Sequence, residues 1–113
     1  MAQDGQSDDA PRLRGLIAQA DQAASMLKAL GHDGRLTILC HLQTGPKSVT
    51  ELERLLSARQ AIVSQQLARL RHEGLVVARR EGQAIFYSLQ DERVSLLINV
   101  LARIYGEPPR AVH

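Results

Sequence analysis

The sequence predicts a mainly α-helical domain with one β-hairpin, and two patterns in its 113 residues support this fold class. Leucine, isoleucine and alanine recur at three- and four-residue intervals over most of the chain, which is the spacing of amphipathic helices. Residues 75–89 break this pattern, because β-branched and aromatic residues flank a charged Arg-Arg-Glu-Gly-Gln segment, which is typical of a hairpin. The length fits one domain, and 44% hydrophobic residues favour a folded core over disorder.

The first part of the chain predicts an acidic tail followed by two helices. Residues 1–11 are polar and contain three aspartates and no basic side chain, so we expect a disordered tail there. A first helix is expected over Arg12–Leu30, and Gly31 can end it. Asp33 is the expected N-cap of a second helix, Gly34–Leu42.

Two short helices joined by a tight turn are expected next. Ser48 and Glu51 have the spacing of a capping box, in which the serine hydroxyl accepts a hydrogen bond from the backbone amide three residues on. Ser57 is expected to cap the following helix, Arg59–Glu73, and Gly74 to end it. The side chains of this helix that we expect to be buried are Ile62, Leu67 and Leu70.

The hairpin and one more helix complete the predicted order. Asp91 is expected to cap the last helix, Glu92–Tyr105, after which residues 107–113 form a short C-terminal tail. A helix–turn–helix followed directly by a charged hairpin is a winged helix, which we place over residues 12–106. A domain this small buries a modest core, and helical proteins of this size often gain core by dimerising.

The second helix of the helix–turn–helix has a polar, basic outer face. Its outward residues are expected to be Arg59, Gln60, Ser64, Gln65, Gln66 and Arg69. Such side chains, presented from the first turns of a helix, can read base edges in a DNA major groove. The net charge of the chain is only +2, but residues 51–80 contain six arginines and three glutamates, so basic charge concentrates on this helix and the hairpin. Aromatic residues make up 3%, which argues against stacking on single-stranded nucleic acid.

Composition argues against several other classes of protein. No apolar run approaches the roughly 20 residues of a membrane span, and the polar, acidic start does not resemble a signal peptide, so we expect a cytoplasmic protein with no membrane partner. The chain has no evident nucleophile–base set, phosphate-binding glycine loop or carboxylate pair, so we expect no enzyme and no cofactor. The low net charge leaves one alternative function, a winged helix that binds protein.

Three runs in series resemble the ArsR family of winged-helix repressors. They are Leu30–Leu39 (LGHDGRLTIL), Val63–Val76 (VSQQLARLRHEGLV) and Arg80–Leu89 (REGQAIFYSL). The resemblance spans residues 13–105. It implies a homodimer that pairs its first and last helices and binds an inverted-repeat operator in double-stranded DNA. The DNA contacts that it implies are Ser57, Arg59, Gln60, Ser64, Gln65, Gln66 and Arg69 on the recognition helix and Arg79, Arg80 and Gln83 on the wing.

The signal that such a regulator would sense is not a metal at the usual family sites. Ser48 and Thr50 stand where metal-sensing relatives have a Cys-x-Cys pair, and they are poor ligands for soft metals. The positions of a second family metal site are occupied here by Asp91, Arg93, Ala102 and Tyr105, a set that does not match its ligands. The remaining alternative is a zinc site built from histidines 32, 41, 72 and 113, which are otherwise ordinary imidazoles. We expect no metal site.

Cys40 is the remaining candidate for sensing. It lies where the branch of the family that senses persulfides and oxidants, the BigR/SqrR type, carries a cysteine. A second cysteine completes the crosslink in that branch, but Gly106 stands near its place here. A single cysteine cannot form a crosslink within one subunit. Its possible products with a reactive sulfur species or an oxidant are a sulfenic acid, a mixed disulfide, a persulfide or an intersubunit link. Such a thiol would need to be accessible, and His41 or Arg35 is expected to lower its pKa. A lone cysteine is also compatible with an inert core residue or a metal ligand.

Overall fold

Six helices and a three-stranded antiparallel sheet form the part of the chain described by the computed structural model, residues 3–107. In chain order the elements are α1 (Gln3–Ala18), α2 (Ala20–Leu30), α3 (Asp33–Leu42), β1 (Lys47–Ser48), α4 (Val49–Leu56), α5 (Gln60–His72), β2 (Val76–Glu81), β3 (Ala84–Leu89) and α6 (Glu92–Tyr105). The strand order is β1-β3-β2, so β1 extends the hairpin of β2 and β3. The predicted winged helix–turn–helix fold is confirmed.

The first helices differ from the prediction in two ways. α1 begins at Gln3 and includes Pro11, so the backbone is helical over most of the segment for which we expected disorder. Extending a nucleated helix gains one hydrogen bond per residue, although Pro11 itself has no amide to donate. The single helix expected over Arg12–Leu30 is divided at Gln19, whose amide is shared between the carbonyls three and four residues earlier. Residues 1–2 and 108–113 of the expected tails lie outside the described residues.

The hydrophobic core lies where α3, α4, α5 and α6 meet the hairpin. Its buried side chains are Ala29, Leu30, Ile38, Leu39, Leu42, Leu52, Val63, Leu67, Leu70, Leu75, Val76, Val94 and Ile98. The expectation that Ile62 is buried is wrong, since its side chain is 50% exposed and Val63 takes its place in the core. Val63, Leu67 and Leu70 follow the i, i+4, i+7 spacing of one helix face, and this face packs inward.

Four of the predicted helix ends are confirmed, and the first is Gly31 at the end of α2. Ser48 and Glu51 form a full capping box, because the Glu51 amide donates to Ser48 Oγ at 3.1 Å and the Ser48 amide donates to Glu51 Oε1 at 2.9 Å. The bond from the Ser48 amide lowers the pKa of Glu51. Gly74, with φ of +77°, ends α5 as predicted, and Asp91 caps α6 by accepting from the Arg93 amide at 2.9 Å.

Two predicted caps are wrong. The N-cap of α3 is His32 rather than Asp33, because His32 Nδ1 accepts from the Gly34 amide at 3.1 Å. Ser57 does not cap α5, since it adopts the left-handed conformation, with φ of 52°, at the end of α4. The N-cap position of α5 is held by Arg59, whose side chain makes no capping hydrogen bond. This leaves the Arg59 side chain at the start of α5 free of a capping role.

Candidate nucleic-acid interface

The helix–turn–helix is formed by α4 and α5, with only residues 57–59 between them. Ser57 turns the chain through its left-handed conformation, and the amide of Ala58 bonds back to the Glu53 carbonyl at 3.1 Å. Leu52 of α4 and Leu67 of α5 are both fully buried in the shared core. This packing fixes α5 by its inner face and leaves its outer face open to a ligand.

Most of the residues that the sequence predicted for DNA contact lie on the outer face of α5. The exposed members at its start and on its open side are Ser57, Arg59, Gln60, Ser64 and Gln65. Gln66 and Arg69 are only half exposed. The exposed residues combine amide, hydroxyl and guanidinium groups on the first two turns, which is the chemistry that reads base edges and phosphates.

Gln66 and Arg69 already have partners within the protein. Gln66 Oε1 accepts from Arg35 Nη1 at 3.3 Å, which links α5 to α3. Arg69 Nε lies 3.4 Å from Glu73 Oε2, and the other Glu73 oxygen accepts from Ser25 Oγ at 3.3 Å. Sequence reasoning missed the role of Arg35 as a partner of the recognition helix. Its only signal was its place in the family-like run that opens α3.

A polar cleft of about 440 Å³ lies between the start of α3 and α5. Its lining residues are His32, Arg35, Gln65, Gln66 and Arg69. Arg35 makes the cleft basic, whereas the charge of Arg69 is partly offset by Glu73. The cleft continues the exposed face of α5 at Gln65. The basic surface beside the recognition helix is therefore wider than the ten residues predicted from the sequence.

The wing is the hairpin of β2 and β3. Glu81 pairs with Ala84, so the loop is only Gly82-Gln83, and Gly82 supplies the positive φ, 65°, that such a loop needs at its first position. Arg79, Arg80 and Gln83 are all exposed. Because side chains alternate along a strand, the two arginines lie on opposite faces of the hairpin. Arg79 Nη2 lies 3.4 Å from Glu81 Oε2, so part of its charge is offset.

Cys40 lies on α3 with an exposed side chain, so it is not part of the buried core of the chain. Desolvation by its neighbours raises the pKa of the Cys40 thiol, which is opposite to the expected lowering. Arg35 does not activate the thiol, since its guanidinium bonds the carbonyls of Lys28 and Ala29 as well as Gln66. Within the part of the chain that the structure describes, no three metal-ligating side chains form a group that could hold a metal ion.

The comparison with known proteins places this architecture in a family. The model described as "Bacterial regulatory protein, arsR family" matches residues 32–77, from the N-cap of α3 through α4 and α5 to the start of the wing. The HTH-type transcriptional regulator YgaV of Escherichia coli is 44% identical over 91 residues, which cover 80% of this chain and 92% of that protein. The chain belongs to the ArsR family.

Solved structures agree with this membership. The ArsR-family chain superposes with a TM-score of 0.80 on the transcriptional repressor BigR from Xylella fastidiosa, at 37% identity over 84% of this chain and 97% of that one. Reduced HlyU from Vibrio cholerae gives a TM-score of 0.78 at 38% identity, over 83% of this chain and 99% of that one. The ArsR-family protein is a DNA-binding transcriptional regulator. None of its helices between residues 3 and 107 is long and apolar enough to span a membrane.

Proposed function

We propose that this protein is a homodimeric repressor that binds an inverted-repeat operator in double-stranded DNA. The observation that carries the proposal is the outer face of α5, where Arg59, Gln60, Ser64 and Gln65 are exposed together beside a basic hairpin. In this proposal Gln65 and Ser64 meet base edges, whereas Arg59 and the wing arginines meet phosphates. Repression is supported by similarity to the biofilm growth-associated repressor of Agrobacterium fabrum.

Dimerisation is supported by apolar surface that the single chain leaves uncovered. Leu96, Val100 and Ile104 stand four residues apart on α6 and form an exposed stripe on the side opposite the buried Val94 and Ile98. Three more apolar side chains are exposed on α1, namely Leu13, Leu16 and Ile17. A groove of about 390 Å³ runs between α1, α2 and α6. A second copy seated on this surface would bury it, and would place two α5 helices in successive major grooves.

The test of DNA reading is a binding measurement with DNA from the region upstream of the protein's own gene. We expect fluorescence anisotropy to give a Kd at least about a thousandfold tighter for that fragment than for a shuffled fragment at physiological salt. Equal affinity for both fragments would contradict the proposal and favour the alternative, a winged helix that binds protein.

Replacing Arg80 by alanine should weaken DNA binding more than replacing Arg79. Arg80 makes no ion pair within the described residues, whereas the charge of Arg79 is partly offset by Glu81. A dimer loses two phosphate contacts with Arg80→Ala, so the slope of log K against log salt should become shallower by roughly 0.9 per contact. Arg79→Ala is the matched control on the neighbouring position. Equal slopes for the two variants would show that Arg80 is not the stronger phosphate contact.

The signal that we propose is modification of Cys40 by a reactive sulfur species or an oxidant, with release of DNA. In the sulfur case the Cys40 thiolate attacks the outer sulfur of an organic persulfide. A new S–S bond forms at Cys40 while the S–S bond of the donor breaks, and the donor leaves as a thiol with the proton that Cys40 gave up. α3 packs against α5 in the core, so a group added to α3 that shifts this helix would also shift the recognition helix.

Reaction at Cys40 should be slow at about pH 7 and should quicken as the pH rises beyond the ordinary cysteine pKa of about 8.5. The raised pKa keeps the thiol protonated, and only the thiolate is nucleophilic. The measurement is alkylation by iodoacetamide followed by mass spectrometry, with the urea-unfolded protein as the control for an ordinary thiol. Faster alkylation of the folded than of the unfolded protein at about pH 7 would contradict the raised pKa of Cys40.

The Cys40→Ser variant shows whether the response to the signal depends on the Cys40 thiol. We expect glutathione persulfide or hydrogen peroxide to weaken operator binding of the wild type and to leave that of Cys40→Ser unchanged. If both proteins respond alike, or neither responds, Cys40 is not the sensor. The protein is then a regulator with an unreactive cysteine that responds to another ligand.

A further inference from the structure

Gln66 lies on the recognition helix, but its side chain is turned toward α3. Its Oε1 accepts from Arg35 Nη1 at 3.3 Å. Its Nε2 lies 3.8 Å from the point where a Cβ on Gly34 would stand, which places it against the start of α3. Gln66 is half-buried, whereas Gln65 beside it is exposed. Both ends of the Gln66 amide therefore face α3 rather than the open side of α5.

The chemistry of Arg35 determines which end of the amide it meets. A guanidinium group donates hydrogen bonds and cannot accept them, so it must face the oxygen of Gln66 and not the nitrogen. Glutamine reads adenine with both ends at once, because the oxygen accepts from N6 and the nitrogen donates to N7. An oxygen already bonded to Arg35 is not positioned for that pairing. The orientation of Gln66 is thus unsuited to the base reading that its place in the sequence suggests.

Arg35 also bonds to α2. Its Nε donates to the Ala29 carbonyl at 2.7 Å and its Nη2 to the Lys28 carbonyl at 3.2 Å, both at the end of α2. These two carbonyls belong to the last turn of the helix, where backbone acceptors lack the usual partner four residues on. The Lys28 carbonyl also accepts from the Gly31 amide at 3.3 Å. One half-buried guanidinium thus connects the end of α2, its own helix α3 and the middle of α5.

We propose that Arg35 and Gln66 form a clamp that sets the position of α5 on α3, and so determines specificity without touching a base. Gln66 is a positioning residue in this proposal, and the exposed side chains beside it, Gln65 above all, make the base contacts. The inference rests on the proposed reading of DNA by α5. It departs from the sequence-based expectation, in which Gln66 itself contacts DNA.

The experiment compares the effect of single variants on each base pair of the operator half-site. Kd values are measured by fluorescence anisotropy for operators that carry one substituted base pair each, and are divided by the Kd for shuffled DNA. The variants are Gln66→Met, Gln66→Glu, Arg35→Ala and the double variant of Arg35→Ala with Gln66→Met. Gln43→Met is the matched control, because Gln43 also bonds another helix, with its Nε2 3.3 Å from Asn99 Oδ1.

A clamp predicts loss of discrimination at all the base pairs that α5 reads. Gln66→Met should lower the ratio of specific to shuffled binding by about tenfold, since it removes a hydrogen bond to a charged partner. The double variant should lose little more than the stronger single variant, because the two residues act through one contact. Gln66→Glu should keep the discrimination, since a carboxylate still accepts from Arg35, and its added charge weakens binding to all sequences alike. Gln43→Met should behave as the wild type.

Direct reading by Gln66 predicts a different pattern. Gln66→Met would then lose preference at one base pair in each half-site, and Gln66→Glu would lose the same preference. Either that pattern or unchanged discrimination in Gln66→Met overturns the clamp while leaving DNA recognition by α5 in place. A wild type without any discrimination overturns the proposed function and the clamp with it. If Arg35→Ala does not fold, as judged by circular dichroism, the two Gln66 substitutions decide the question.

Discussion

Replacing Val100 by glutamate is expected to convert the protein into a monomer and to remove tight operator binding. Val100 lies at the centre of the exposed stripe of α6, between Leu96 and Ile104, and its side chain is 52% exposed in the single chain. In the proposed dimer this stripe is covered by the partner, so the substitution buries carboxylates that have no counter-ion. Half-site binding without a partner should cost at least about a hundredfold in operator Kd, or about 2.8 kcal/mol.

The control for Val100→Glu is Ala102→Glu. Ala102 is also exposed on α6, but it lies about 200° around the helix from Val100 and outside the stripe. The Ala102→Glu protein should remain a dimer and bind the operator with wild-type affinity. Analytical ultracentrifugation gives the mass of each variant, and anisotropy gives its affinity. A Val100→Glu protein that sediments as a dimer and binds its operator normally would rule out the α6 stripe as the interface.

Leu67→Ala is expected to destabilise the fold by about 2–5 kcal/mol, because it leaves a cavity where α5 meets the core. Leu67 has no exposed surface, and it packs between the other two buried residues of α5, Val63 and Leu70. Ile62→Ala, on the same helix, should cost only about 1 kcal/mol or less, because half of the Ile62 side chain is already in water. Urea denaturation at one fixed protein concentration measures both, which keeps any contribution of dimerisation equal.

These two substitutions distinguish the packing of α5 in the structure from the packing that the sequence pattern predicts. The apolar residues of this segment predicted a buried Ile62, so the pattern alone predicts a large effect at both positions. A loss of stability from Ile62→Ala equal to that from Leu67→Ala would contradict the packing of α5 described above.

The sequence predicted the features that depend on local chemistry. The capping box of Ser48 and Glu51 involves only one turn of helix, and Gly74 is the residue type that a left-handed helix end requires. The hairpin was likewise predictable from the change of period and the Gly82 loop. These local signals, taken in order, were sufficient to give the fold class.

Features that depend on tertiary packing were not predictable. The apolar period runs through Gln19 without interruption, so the break between α1 and α2 leaves no trace in it. β1 is two residues long, Lys47–Ser48, and exists only because β3 lies beside it. Asp33 has a stronger intrinsic preference for a helix N-cap than His32, yet the imidazole of His32 accepts from the Gly34 amide.

The exposure of the candidate site residues was predictable from the sequence only in part. Ser64 and Gln65 are exposed on α5 as expected, but no helical pattern shows that Gln66 turns inward to a guanidinium from another helix. Both wing arginines were expected to contact DNA, and the hairpin places them on opposite faces. The direction of the Gln66 side chain depends on a neighbour that is distant in sequence, whereas the alternation of the two arginines follows from the strand itself.

The measurement that tests base reading by α5 most directly is the operator preference of Gln65→Ala. Kd values for the wild type and the variant are compared over a set of operators with single base-pair substitutions. Reading by the exposed Gln65 predicts that the variant loses about 1–3 kcal/mol of discrimination at one base pair in each half-site and keeps its preferences elsewhere. Unchanged discrimination at every position in Gln65→Ala would show that Gln65 does not read a base.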